Sequence, residues 1–203
     1  NCLFVRNETK RRLGGALWAE KMEGQNAHRD NVMTVENCTF VDNLAFQRDN
    51  NSYCLGTPYV YRSLPESLDC VIRNCIMSGN GGTNSAGAFE VRSVSSDVKV
   101  SSTNNLYSSA GTSTAFNFSD GDKGCIVGRD PQFVDAAHGD CRIRRISPAR
   151  DRGIEFPWMR EAGAHDLLVT NEFGKVSSRI YGPTVDLGCY EWRPTTGLLL
   201  FLK

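Results

Sequence analysis

The sequence is short of histidine, of excess charge of either sign and of long apolar runs, and each shortage removes a class of function. Only His28, His138 and His165 occur in 203 residues, none at zinc-finger spacing from a cysteine, and no Cys-x-x-Cys pair is present. Lys plus Arg and Asp plus Glu each number 23. A chain without net charge has no global field to gather nucleic acid or anionic lipid. The longest apolar stretch, GLLLFL at 197–202, falls far short of the roughly 20 residues of a membrane-spanning helix and reads instead as a last strand. No serine sits in G-x-S-x-G and no glycine-rich phosphate loop occurs. The chain starts at Asn1-Cys2, inside a repeat, so a processed or truncated product is expected, with further coils and any export signal upstream.

What is present is repetition. NCLFVRN at 1–7, NCTFVDN at 37–43, NCIMSGN at 74–80 and the weaker NNLYSSA at 104–110 share an Asn-Cys-x-(large apolar)-x-x-Asn pattern, spaced by 36, 37 and 30 residues. Within each, Cys2 and Phe4, Cys38 and Phe40, or Cys75 and Met77 occupy i and i+2 and face one side of a short strand. Met33 with Val35, Cys70 with Ile72 and Val98 with Val100 mark a second set of strands ending just before the Asn. Strands this short bury nothing alone, but equivalent strands stacked about 4.8 Å apart make one continuous core. Phe4, Phe40, Met77 and Tyr107 are then expected to pile up inside, beside Cys2, Cys38 and Cys75. The cysteines read first as small buried hydrophobes, with paired disulfides as the alternative. Asn37 and Asn74 fall at turns, where a side-chain amide bonds backbone and its counterpart in the next repeat.

The combination of GGAL at 14–17 with FVRN and FVDN resembles the GGA(I/L/V) and FxxN repeats of bacterial surface β-helices, including the chlamydial polymorphic membrane proteins. The tail, with DPQFVD at 130–135, SPARDRG at 147–153, NEFGKVSSR at 171–179 and VDLGCYEW at 185–192, is similar to the ending of secreted bacterial right-handed β-helix proteins of the pectate-lyase-like superfold. Two departures stand out: Arg150 replaces an apolar residue, and Cys189 a small alanine; both read as variations at the end of the solenoid. The resemblance implies an all-β fold, a right-handed, single-stranded parallel β-helix solenoid, with coils over 1–118 and a terminal coil and loop-rich C-terminal cap over 119–203. Arg179, Asp186, Gly188, Tyr190 and Glu191 are expected to lock that cap. It also implies a secreted or cell-surface location, where cysteines can oxidise. Cys54 with Cys70, and Cys125 with Cys141, are candidate bridges.

Grooves of β-helices that the chain resembles bind polysaccharides, cleaved by paired carboxylates or by a base with calcium. Glycoside hydrolysis needs carboxylates about 5–9 Å apart. The candidates are Asp42, Asp49 and Asp69, but the equivalents of Asp42 are Arg6 and Gly79, so no carboxylate ladder forms there. Asp120 and Asp122 in SDGDKG resemble part of a calcium loop without its run of oxygen ligands, so calcium is conceivable and a plain Asp-Gly turn is the simpler reading. Tyr53, Tyr59 and Tyr61 in the aromatic 53–63 region, with Trp18, offer faces on which a sugar or a protein partner stacks. Trp158 reads as cover for the core, and the histidines as surface or cap residues.

The leading expectation is a noncatalytic, adhesin-like extracellular module that binds glycans or surface glycoproteins. A polysaccharide lyase or hydrolase is the second reading and a passive stalk the third. Carboxylates on adjacent repeats, or an Arg/Lys–Asp cluster in an open groove, would favour the enzyme. An exposed apolar or aromatic patch would favour binding.

Overall fold

The computed structural model describes residues 1–9, 16, 18–21, 31–45, 59–62, 68–82, 90–93, 98–108, 118–161 and 179–194. They are mostly strand, arranged in parallel sheets, with two short 3-10 turns at Ala136–His138 and Pro157–Arg160.

Equivalent segments of successive repeats pair with one another. The longest series runs β1 (Leu3–Val5), β5 (Thr39–Val41), β9 (Ile76–Ser78), β13 (Leu106–Tyr107) and β15 (Ile126–Val127), all parallel. A four-stranded parallel sheet joins β4 (Asn31–Glu36), β8 (Leu68–Arg73), β12 (Val98–Thr103) and β14 (Phe118–Lys123). Two three-stranded parallel sheets hold β2 (Glu8–Thr9), β6 (Leu44–Ala45) and β10 (Gly81–Gly82), and β3 (Trp18–Lys21), β7 (Tyr59–Arg62) and β11 (Glu90–Ser93). The parallel stacking continues beyond residue 118, through β14 and β15. Beyond it, β16 (Phe133–Asp135) and β17 (Asp140–Ile143) form an antiparallel pair.

Two columns of tight bends set this layout. Asn37, Asn74 and Asn104 follow β4, β8 and β12 with φ of 49°, 56° and 50°, and Gly124 continues the column at 70°. Asparagine tolerates this left-handed region better than most residues, which is why it recurs at the corner. The second column, Arg6, Asp42, Gly79 and Gly128, lies just after β1, β5, β9 and β15. Inside the second bend an asparagine ladder forms. The Asn43 side-chain oxygen accepts from the Asn7 backbone N–H at 3.1 Å and its amide at 2.8 Å. Asn80 accepts from Asn43 in the same way, at 3.0 and 2.9 Å, while the Asn43 and Asn80 amides donate to the Phe4 and Phe40 carbonyls. Buried backbone groups at the corner thus find partners that the strands cannot supply.

The five-stranded sheet is packed on both faces. On one, Phe4 stacks on Phe40 with centroids 4.7 Å apart, and Met77 and Tyr107 follow in register. Phe40, Met77 and Tyr107 are buried, whereas Phe4, on the edge strand, is half-buried. Cys38 and Cys75 are buried as expected of small apolar side chains, whereas Cys2 is exposed. Cys125 and Cys141 are both thiols, which overturns their pairing; Cys141 lies buried near Asp42 while Cys125 bonds the Ser102 hydroxyl at 3.2 Å. The pair Cys54 and Cys70 lies outside the described side chains.

On the opposite face, Ile76 and Leu106 pack against Ile143, Ala149 and Leu187, with Ile126, Phe133 and Trp192 at the margin. The tail therefore lies sideways across the outer face of this sheet. Its bonds reach Thr39, Asn74 and Asn104, in three successive repeats, rather than only the last strand.

Candidate functional site

The tail is pinned by a buried polar cluster. The Arg179 side chain is fully buried and pairs through Nη1 with Glu191, while Nη2 donates to the Gly188 carbonyl at 2.7 Å and to Asn37 Oδ1 at 3.3 Å. Glu191 also accepts from the Asp186 and Tyr181 backbone N–H groups, at 2.9 and 3.1 Å. Asp186 accepts from the Asp151 and Trp192 N–H groups at 2.6 and 2.5 Å. Burial first, then the Asp186 carboxylate, pushes Glu191 up to about 8; burial pushes Asp186 up to about 6. Among the described residues one cation, Arg179, faces these two carboxylates, so the pair holds a proton more readily than separate carboxylates do. Gly188 donates its N–H to the Asn74 carbonyl at 2.7 Å, and Asn74 exchanges side-chain bonds with Ile154 at 2.7 and 2.8 Å. Tyr190 is half-buried beside this cluster.

The same clamp shapes an open groove. Gly124 to Ile126, at the end of the stacked strands, form one wall, and the segment from Arg145 to Arg152 forms the other, around about 670 Å³. Tight bonding fixes the second wall: the Ser147 hydroxyl donates to the Pro131 carbonyl at 2.6 Å and accepts from Ala149 N–H at 3.1 Å. Asn104 holds the Arg152 carbonyl at 2.8 Å, and Asp186 holds Asp151 through its backbone. Arg129, Arg145, Arg150 and Arg152 line the groove, with Ile146, 75% exposed, at its lip. Arg150 pairs with Asp151 at 3.0 Å, donates to the Arg145 carbonyl at 3.1 Å and lies over the Trp192 ring. The other three guanidiniums are exposed and make no ion pair with described residues. The groove is thus a concave, rigidly backed, cationic surface. Asp151 is its only lining carboxylate among the described residues, and it is already neutralised by Arg150.

The sequence candidates lie elsewhere. Asp42 occupies the left-handed bend after β5, its carboxylate resting over Gly79, and it shares the neighbourhood of the Cys141 thiol with Asp140, which is paired with Arg142. Trp18, Tyr59, Tyr61, Asp69, Asp120 and Asp122 fall on β3, β7, β8 and β14, with side chains outside the described set; Asp49 and Tyr53 lie outside it altogether. The structure aligns Trp18 and Tyr59 as backbone neighbours in register, and Glu20 with Tyr61. Among the described residues no group of three or more His, Cys, Asp or Glu side chains is placed to hold a metal ion. His138 bonds Asp135 at 2.7 Å on the surface, outside the groove. The described helices include none long and apolar enough to cross a membrane.

The arginine groove was missed because the chain's charges cancel overall. Its signal was nevertheless visible as Arg142, Arg144, Arg145, Arg150 and Arg152 within twelve residues of CRIRRISPARDR. Arg150, which stands where the resembling tails carry an apolar residue, is one of the groove's own residues. Comparison with family models, curated proteins and solved structures finds no match to the chain.

Proposed function

We propose that this chain is part of a right-handed parallel β-helix on a bacterial surface or in its secretions, and that it binds anionic glycans without cleaving them. In-register parallel stacking at intervals of 36 and 37 residues supports the architecture. The cationic groove carries the functional reading. Its planar guanidiniums suit carboxylate or sulfate groups, which they bind through paired N–H donors, and the exposed Ile146 offers an apolar contact for a sugar face. A hydrolase would need a second carboxylate, which the described lining does not provide. A lyase is the second reading, because an arginine–aspartate cluster in an open groove is what such chemistry employs.

The test is calorimetric titration with polygalacturonate, a sulfated glycan and a neutral glucan, while new reducing ends and the ultraviolet absorbance of unsaturated products are followed. The expected result is binding of the acidic polymers alone, without product, weakened about tenfold by Arg145→Ala combined with Arg152→Ala, or ~1.4 kcal/mol. Unsaturated product would establish a lyase, and equal binding of the neutral glucan would remove the groove from the account.

A further inference from the structure

Arg150 is held differently from the other arginines of the groove. Its Nε donates to the Asp151 carboxylate at 3.0 Å and its Nη1 to the Arg145 carbonyl at 3.1 Å, and its guanidinium carbon lies 4.8 Å from the centre of the Trp192 ring. Nη2 has no acceptor among the described residues, and the side chain stays 33% exposed on the groove wall. A fixed, planar fork thus keeps donors to spare. We propose that Arg150 is the residue that recognises the anionic group in the groove, and that Asp186 and Trp192 are its positioning residues. This rests on the anionic-glycan reading above and assigns the roles within it.

The supports of Arg150 converge on one buried carboxylate. Asp186 accepts from the Asp151 N–H at 2.6 Å through one oxygen and from the Trp192 N–H at 2.5 Å through the other. It therefore fixes both the ion-pair partner and the ring on which the guanidinium rests. Trp192 also packs against the cluster of Ile143, Ala149 and Leu187. The remaining support, the Arg145 carbonyl, belongs to a turn closed by Ser147 N–H to the Arg144 carbonyl at 3.0 Å and Arg150 N–H to the Ser147 carbonyl at 3.3 Å. An arginine already ordered in this way loses little freedom when a ligand arrives.

Charge divides the work further. The Arg150–Asp151 pair carries no net charge, so it adds little to long-range attraction. Arg129, Arg145 and Arg152 are exposed and make no ion pair with described residues, and they supply the field that salt screens. Attraction and recognition are then separable by salt.

The full chain would be titrated calorimetrically with polygalacturonate and with dextran sulfate over a series of sodium chloride concentrations, using variants whose circular dichroism spectra match the unaltered protein. Arg150→Lys keeps the charge and loses the fork. It should bind about tenfold more weakly at each salt concentration, with the salt dependence unchanged. Arg145→Ala combined with Arg152→Ala should instead flatten the salt dependence. Trp192→Leu should weaken binding about threefold, and Trp192→Phe, which keeps a ring under the guanidinium, should retain most of the affinity. In ¹H–¹⁵N spectra of the arginine side chains, the Arg150 Nε–H should stand apart from the exposed arginines, and Asp186→Asn should merge it with them. Unchanged affinity in Arg150→Lys, a loss there that alters the salt dependence, or equal binding by Trp192→Leu and Trp192→Phe would overturn the assignment and leave the groove reading standing. No binding of either polymer by the unaltered chain would remove both.

Discussion

Gly188 shows how one residue's missing side chain holds the tail in place. Its φ is +85°, and a β-carbon there would meet Thr39 Oγ1 at 2.5 Å and Ile76 Cδ1 at 2.9 Å, on two successive strands. Gly188→Ala should therefore destabilise the protein by about 2–3 kcal/mol in urea denaturation, strain and overpacking acting together. Gly139, at φ +90° but with only Arg6 Nη2 at 3.5 Å, is the matched control; Gly139→Ala should cost about 1 kcal/mol. Equal losses at the two sites would show that backbone conformation alone, not close packing, fixes Gly188. At this scale the sequence was partly legible. The turn asparagines announced themselves, and Asn74 does donate to Asn37 Oδ1 at 3.1 Å. The FxxN asparagines were visible only as a motif, because nothing local reveals that Asn43 meets residues 36 and 37 positions away.

At the scale of elements, alternation located the strands that end before each turn asparagine, while Thr39–Val41 is buried at every position because its sheet is packed on both faces. The tail's docking left no such pattern. It depends on single polar contacts such as Cys189 N–H to Thr39, 150 residues apart, and on an ion pair that is legible only once folded. That pair sets the tail's response to pH. Asp186 and Glu191 titrate above their ordinary 3.8 and 4.5, so the folded protein holds protons more tightly than the unfolded chain. Stability should be greatest on the acid side, fall as pH rises through the window from about 4 to about 8, and level off above it. Thermal melts across that range check the slope, and Glu191→Gln should flatten its upper part. Arg179→Met should cost about 3–5 kcal/mol at neutral pH, because it leaves the buried Asp186 and Glu191, which together still carry negative charge at that pH, without their cation. A steeper loss in Arg179→Met at acid than at neutral pH would contradict this account of the cluster.

For the whole molecule, the tail and the repeats share one apolar cluster, in which Ile76 and Leu106 of the stack meet Ile143, Ala149 and Leu187 of the tail. They should unfold together. Tryptophan fluorescence of a Trp18→Phe variant, reporting on Trp158 and Trp192, and far-ultraviolet circular dichroism, reporting on the sheets, should give coincident denaturant transitions. Separate midpoints would make the tail an independent unit and loosen the link between the clamp and the groove. The groove itself was illegible from overall charge, because its arginines come into use only when the segment from Arg145 to Arg152 folds against the end of the stack.

The asparagine ladder also bears on how such a chain tolerates change over its history. Asn7, Asn43 and Asn80 align by mutual recognition, so neighbouring copies find their register at each corner whatever length of chain separates them. Residues inserted or lost between two corners alter the excursion and leave the alignment intact. Natural variation should therefore accumulate between the asparagines, while the spacing from each Asn-Cys to its closing Asn stays fixed, as a tally mark is kept however long the interval it counts.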